Sequence, residues 1–358
     1  MLEVVSKIPS YYLFRLTGRP RQLPMNLTLS VSYKCNSRCK TCNIHQRKAD
    51  ELSLDEWRRI FKSLGHGVFW VTMSGGEPFL RQDLSEIVCS AYDECGPSII
   101  NIPTNGLLTE RIPKVVVDIA DYCRQAQIVI NVSIDDIGEK HDSIRGVPGN
   151  YDRALATFTA LKKIGLPNLS IGIHTVISRF NVDRIPAVYN ALSGLRPDSY
   201  ITEIAEEREE LCTIDSGITP SPGEYSRAVD YLLSHLKKDH FGKVGRITRA
   251  FRIEYYRMVK RILAERRQII PCYAGFASAQ ISPDGDLWMC CVKAQSVGNL
   301  RNYDFDFKKV WFSEEAGLER RKIKKGECFC PLANASYTNM LHNPRSLCRA
   351  SLNFLRLS

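Results

Sequence analysis

The chain has 358 residues, 44% hydrophobic and 25% charged, enough to bury one large core or one large and one smaller. No apolar run approaches the ~20 residues of a membrane-spanning helix, and the N-terminus lacks the apolar stretch and cleavage site of a secretory signal, which together point to the cytoplasm. The formal net charge of +10 favours an anionic partner, such as nucleic acid, a phosphorylated sugar or anionic lipid, as an electrostatic tendency rather than an identity.

In chain order, residues 6–24, "SKIPSYYLFRLTGRPRQLP", mix aromatics with arginine. They read as an amphipathic extension, either packing under the main fold or making a peripheral membrane contact. "NLTLSVS" (26–32) is a strand feeding "SYKCNSRCKTCN" (32–43), which puts Cys35, Cys39 and Cys42 within eight positions. Thiolates gathered so closely suit zinc or an iron–sulfur cluster. A Cys₃His zinc site with His45 is one reading, but zinc sites favour paired CxxC spacings. A four-iron cluster on three cysteines leaves one iron open, and an open metal position is where chemistry takes place.

"SLDEWRRIFKSLG" (53–65) is a capped amphipathic helix ending in glycine. Strand and helix then alternate: strand and loop in "GVFWVTMSGGEP", helix in "DLSEIVCSAYDECG", strand in "SIINIPTNG", helix in "ERIPKVVVDIADYC", strand in "QIVINVSIDD". Helix "NYDRALATFTALKKIG", strand "LSIGIHTVIS", helix "VDRIPAVYNALSGL" and a strand opening "DSYITEIAEER" complete the series. Six strands alternating with helices over 26–210 predict an α/β fold, a partial (β/α)6 TIM-like barrel, whose strand C-termini carry the site. "SGGEP" (74–78) lies on the second such end, where Gly75 and Gly76 let backbone approach a ligand and Glu77 offers an anionic acceptor. "PTNG" (103–106) ends the third and "VSIDD" (132–136) the fourth. Each is weak alone, and in order behind CxxxCxxC they are strong together. Cys89, Cys95, Cys123 and Cys212 are solitary and read as packing or surface thiols.

With these residues in this order the chain resembles the radical SAM superfamily. The resemblance implies that Cys35, Cys39 and Cys42 hold a [4Fe–4S] cluster whose free iron takes S-adenosylmethionine (SAM). It implies that Gly75, Gly76 and Glu77 receive the methionine amino group and that Ser133 and Asp135 lie near the ribose and carboxylate. Arg145 in "HDSIRG" is a further candidate for the SAM carboxylate. The residue before the third cysteine is usually aromatic in the family and is Thr41 here, which weakens the adenine contact.

Further on, "CYAGFASAQISPDGDLWMCC" (272–291) and "GECFCP" resemble the SPASM/Twitch extension, a small C-terminal cysteine-rich lobe. By that resemblance Cys272, Cys290, Cys328 and Cys330 bind a second, auxiliary [4Fe–4S] cluster, with Cys291 the alternative to its neighbour because adjacent strand residues face opposite ways. Whether Cys348 takes part stays open, as does a four-cysteine zinc site. The expected organisation is an extension at 1–25, barrel at 26–235, helical linker at 236–267, auxiliary-cluster lobe at 268–345 and basic tail at 346–358.

The function implied is reductive cleavage of SAM to a 5′-deoxyadenosyl radical and hydrogen abstraction from an unactivated C–H, in a net oxidation assisted by the second cluster. An external donor such as flavodoxin or ferredoxin would supply the electron. His174, Glu203, Glu206 and Arg208 at the late strand ends are candidates to face the substrate, and Glu203, inside the strand pattern, is the candidate catalytic residue. The expected substrate is a small molecule, sugar or lipid headgroup, with an anionic one in keeping with the charge. Neither terminus offers a segment long enough for leader recognition, so peptide modification is the alternative. A zinc-binding nucleic-acid adaptor is the alternative from another class, with nucleic acid the less favoured partner.

Overall fold

In this computed structural model residues 2–236 and 243–356 are described. Positions 237–242, at the start of the expected linker, and 357–358, at the end of the expected tail, lie outside them. The strands are β1 (Asn26–Ser32), β2 (Trp70–Gly75), β3 (Ile99–Thr104), β4 (Gln127–Ser133), β5 (Leu169–Ile177), β6 (Ser199–Ile204), β7 (Ser278–Ile281), β8 (Asp286–Trp288) and β9 (Ser296–Asn299). They form one sheet in the order β6-β5-β4-β3-β2-β1-β7-β8-β9.

The first six strands are parallel neighbours in sequence order, as the βα alternation requires. Their registers bring Ser30 opposite Ser74, Ser133 opposite His174 and Val176 opposite Glu203, so the strand ends form one rim. The sheet is open, with β6 and β9 at its edges. Helices cover it through apolar stripes. In Leu54–Leu64, for example, Trp57, Ile60, Phe61 and Leu64 are buried, Ser53 and Glu56 complete a capping box, and Gly65 ends the helix.

The C-terminal cysteine-rich segment is not a detached lobe. Its strand β7 pairs parallel with β1, Ala279 opposite Leu27, and the β7–β8–β9 meander extends the same sheet. This continuity has no signal in the alternation pattern, because it pairs strands some 250 residues apart.

Three segments outside the barrel pattern find firm places. The helix Leu2–Thr17 packs on the cysteine-rich segment: Phe14 meets Phe276 and Phe312 edge-on, and the Arg15 guanidinium donates to the Cys272 carbonyl at 2.9 Å. The expected linker contains the helix Lys243–Glu265, whose Tyr255, Tyr256 and Val259 are fully buried, so it forms core. The expected tail is mostly the helix Pro344–Arg356, held to that core helix by Arg349 on Glu254 (3.3 Å) and Asn353 on the Ala250 carbonyl (3.3 Å). Among the described residues no helix is long and apolar enough to cross a membrane.

Candidate active site

The C-terminal ends of β1 to β6 surround an open cleft. Cys35, Cys39 and Cys42 all line it, although they lie on a loop with little regular structure. The loop is positioned from three sides. Arg38 and Lys40 donate their backbone N–H groups to the carbonyls of Arg145 (2.9 Å) and Ile144 (2.8 Å), on the helix Glu139–Arg145. Asn105, after β3, donates its amide to Asn36 Oδ1 (2.7 Å) and Ser37 Oγ (3.0 Å). Asn43 N–H bonds to the Leu211 carbonyl at 2.9 Å. Gly146 (φ +66°) is required here, since a Cβ on it would overlap the Arg38 carbonyl.

All three cysteines are free. Burial raises their thiol pKa values, that of Cys42 to about 12, so an arriving metal must displace their protons. Arg145 sets a guanidinium 3.7 Å from Cys39 Sγ, a positive charge suited to a thiolate-bound, anionic group. Among the described residues no three Cys, His, Asp or Glu side chains close on a single ion. His45 sits in the short turn Ile44–Gln46 outside the cleft lining, so the Cys₃His zinc site has no geometric support.

Gly75, Gly76 and Glu77 also line the cleft, and the glycines meet a further requirement within the chain itself. A Cβ on Gly75 (φ +109°) would overlap the Ser32 carbonyl and one on Gly76 the Lys34 carbonyl, so both allow β2 to lie against the strand that launches the cysteine loop. Gly76 and Glu77 donate their N–H groups to those carbonyls at 2.7 and 2.9 Å. The Glu77 carboxylate is turned to the β3 exit, accepting from Asn105 N–H (2.8 Å), Thr104 Oγ1 (2.9 Å) and Phe79 N–H (3.3 Å). Burial outweighs these bonds and pushes its pKa up to about 7.

Ser133 lines the cleft, as does Arg145, while Asp135 does not. Asp135 is buried behind the wall, with Oδ2 2.8 Å from Arg145 Nε and Oδ1 accepting the Val176 N–H at 2.9 Å. Burial by itself would lower the Arg145 pKa, but Asp135 and Cys39 raise it overall. The Asp135 carboxylate thus holds the arginine that lines the cleft. Thr41 faces the cleft where an aromatic is usual.

On the far wall stand His174, Glu203, Glu206 and Arg208, with Glu210, which sequence reasoning passed over as part of a charge run. Glu210 is deep because it accepts from Ser30 Oγ at 3.3 Å and from Gln280 Nε2 across β1 and β7. The Arg208 guanidinium lies between Glu206 (Nε–Oε1 3.6 Å) and Glu210 (Nη1–Oε2 3.7 Å). Burial raises the Glu206 pKa to about 7; Arg208 opposes this, while Glu203 and Glu210 add to it.

Behind this wall the second cysteine set converges. Burial raises the Cys272 thiol to about 12, with neighbouring Cys290 and Cys328 adding to the effect, and Cys330 is raised by burial with contributions from Glu206, Cys272 and Cys290. Cys290 is influenced by Cys328 and Glu206, whereas Cys291 is influenced most by Glu210 and Arg208, with Cys290 and Glu206 following. Cys348 is exposed. The four thiols, from three stretches of chain, thus influence one another electrostatically, and Glu206, which lines the cleft, acts on both Cys290 and Cys330.

Comparison with known proteins agrees with this layout. Residues 29–192 match the sequence model of the radical SAM superfamily, and residues 272–331 match that of SPASM, an iron–sulfur cluster-binding domain. The chain is 24% identical over 338 residues to the AdoMet-dependent heme synthase of Methanosarcina barkeri, covering 87% of this chain and 88% of that protein. It is 25% identical over 328 residues to the mycofactocin maturase MftC of Mycolicibacterium smegmatis, covering 85% and 74%. In fold it is similar to Streptococcus suis SuiB bound to S-adenosylmethionine, with a TM-score of 0.63, 16% identity, and coverage of 83% of this chain and 68% of that one.

Proposed function

This chain belongs to the radical SAM superfamily and carries a SPASM iron–sulfur domain, and on that premise we propose that it abstracts hydrogen from an unactivated C–H of its substrate in a net oxidation. It is an enzyme whose cofactors are a [4Fe–4S] cluster, SAM and auxiliary iron–sulfur. When bound, the first cluster with SAM supplies a 5′-deoxyadenosyl radical and the second supplies an electron acceptor. The observation that carries the reading is the convergence of three free, buried or half-buried thiols, the glycine pair and Arg145 on one cleft.

In this reading Cys35, Cys39 and Cys42 hold the first cluster, Arg145 balances its charge, and the backbone at Gly75–Glu77 with Ser133 receives SAM. Cys272, Cys290, Cys328 and Cys330 hold the auxiliary group, and the ends of β5 and β6, with Glu203 foremost, face the substrate. Residues 26–235 act as the SAM-cleaving unit and 268–345 as the auxiliary unit, joined through the β1–β7 pairing. A reduced flavodoxin or ferredoxin is the fitting electron source.

For the substrate, a small molecule is the first reading, in keeping with the heme synthase relative, which spans most of both chains. Peptide modification is the second, favoured by the maturase relative and by a SuiB structure bound to the precursor peptide SuiA. The test is reduction of anaerobically reconstituted protein with SAM. Methionine and 5′-deoxyadenosine should form, and changing Cys35, Cys39 and Cys42 together to alanine should abolish both and remove about four irons. Cleavage surviving in the triple variant overturns the reading.

A further inference from the structure

The far wall of the cleft is charged opposite to the protein as a whole. In a chain of net charge +10, the β6 end and the loop after it bring Glu203, Glu206 and Glu210 to the cleft against one cation, Arg208. Glu210 is satisfied by Ser30, Gln280 and Arg208. Glu206 is not: it is only 7% exposed, its Oε1 is 3.6 Å from Arg208 Nε, too far for a hydrogen bond, and its Oε2 has no hydrogen-bond partner. Beside it the half-buried Glu203 approaches His174 Nε2 only to 3.7 Å, and that nitrogen likewise has no hydrogen-bond partner. A carboxylate oxygen held this deep without a donor keeps its desolvation cost uncompensated, which an arriving donor would relieve.

We propose that Glu206, with Glu203, recognises a cationic nitrogen of the substrate, a protonated amine or guanidinium. This rests on the reading of the cleft as the SAM-dependent reaction chamber. A cation is favoured over a neutral donor because three carboxylates face one guanidinium on this wall, and a cation beside Glu206 would favour the charged carboxylate over the protonated form that burial favours. An anion is disfavoured because Arg208 stands between two carboxylates, Glu206 and Glu210. The overall positive charge therefore does not describe the substrate, and the expectation of an anionic small molecule is reversed at this wall. An amino sugar or the lysine side chain of a peptide would present the same group.

The test uses reconstituted, SAM-loaded protein and ligand-observed NMR with glucosamine, glucose and glucuronate, and with acetyl-Gly-Lys-Gly-amide beside its norleucine analogue. The amine member of one set should bind in preference to its uncharged partner, and the set that shows it identifies the source. Glu206→Gln should weaken that binding about tenfold or more, at unchanged iron content. Glu203→Gln serves the same comparison if the first variant does not fold. No preference for the amine in either set, preference for glucuronate, or binding indifferent to these substitutions overturns the inference. SAM cleavage by the wild type is followed in the same preparation: cleavage without amine binding removes this inference alone, and absence of cleavage removes the functional reading.

Discussion

Asp135 and Arg145 form an ion pair behind the wall of the cleft, Oδ2 to Nε 2.8 Å, with side chains 1% and 12% exposed. The pair connects the end of β4 to the helix that straps the cysteine loop, and it fixes the guanidinium 3.7 Å from Cys39 Sγ. The electrostatics of the three-thiol site thus depend on a carboxylate that does not itself line the cleft.

Removing one partner of such a pair leaves a buried charge uncompensated. Asp135→Ala should lower stability by about 3 kcal/mol or more, read as a shift of the urea midpoint at unchanged slope. A loss below about 1 kcal/mol, the range of exposed pairs, would mean that Arg145 finds another partner.

A pH dependence follows from the far wall. Glu206 has its pKa raised from 4.5 to about 7, mainly by burial. Between those values the folded state binds more protons than the unfolded one, so this group's contribution to stability falls as pH rises through that window and levels off above it. Buried His141 and His342, whose pKa values burial lowers, slope the opposite way nearby, so the useful quantity is the difference between wild type and Glu206→Gln. The variant should gain on the wild type from pH 5 to 8 by up to about 3 kcal/mol, at about 1.4 kcal/mol per pH unit. A constant difference across that range would mean that Glu206 titrates normally.

Glu77 presents a different case, because its carboxylate organises a loop. With Glu77→Ala the Asn105 N–H and the Thr104 hydroxyl lose their acceptor, and Asn105 in turn ties Asn36 and Ser37 of the cysteine loop. Reconstituted variant protein should retain its iron while binding SAM about tenfold or more weakly by calorimetry. Unchanged affinity would remove Glu77 and its loop from the cofactor site.

These relationships mark where the sequence was legible and where it was not. Period and punctuation located β1 to β6 and their covering helices, because each element carries its own apolar pattern and caps, as Ser53, Glu56 and Gly65 do for one helix. Glu203, Glu206 and Arg208 were found as residues on strand ends, but Glu210 was not, since its burial depends on Ser30 and Gln280 from distant strands. The Asp135–Arg145 pairing was not legible for the same reason: a carboxylate after a strand reads alike whether it meets a ligand or an arginine ten residues on. The glycine in "IRG" and the asparagine in "PTNG" were the available signals for the loop contacts, and each is ambiguous without the chain it touches.

The adjacent Cys290 and Cys291 give the sharpest test of the auxiliary site. They follow β8, Cys290 just past the strand and Cys291 in the turn that Ala294 N–H closes on the Cys290 carbonyl, so the two thiols have different surroundings. Burial raises both thiols, but the neighbours differ: Cys328 lies beside Cys290, whereas Glu210 and Arg208 lie beside Cys291. Cys290→Ser should therefore lose the auxiliary iron, about four per chain for a cubane, and leave the SAM-binding cluster's EPR signal in place. Cys291→Ser should keep the signals of both clusters and affect only the acidic wall. The reverse pattern would exchange the two ligands, and full iron in both variants would mean that the site closes on some other donor, with exposed Cys348 the first to be tested.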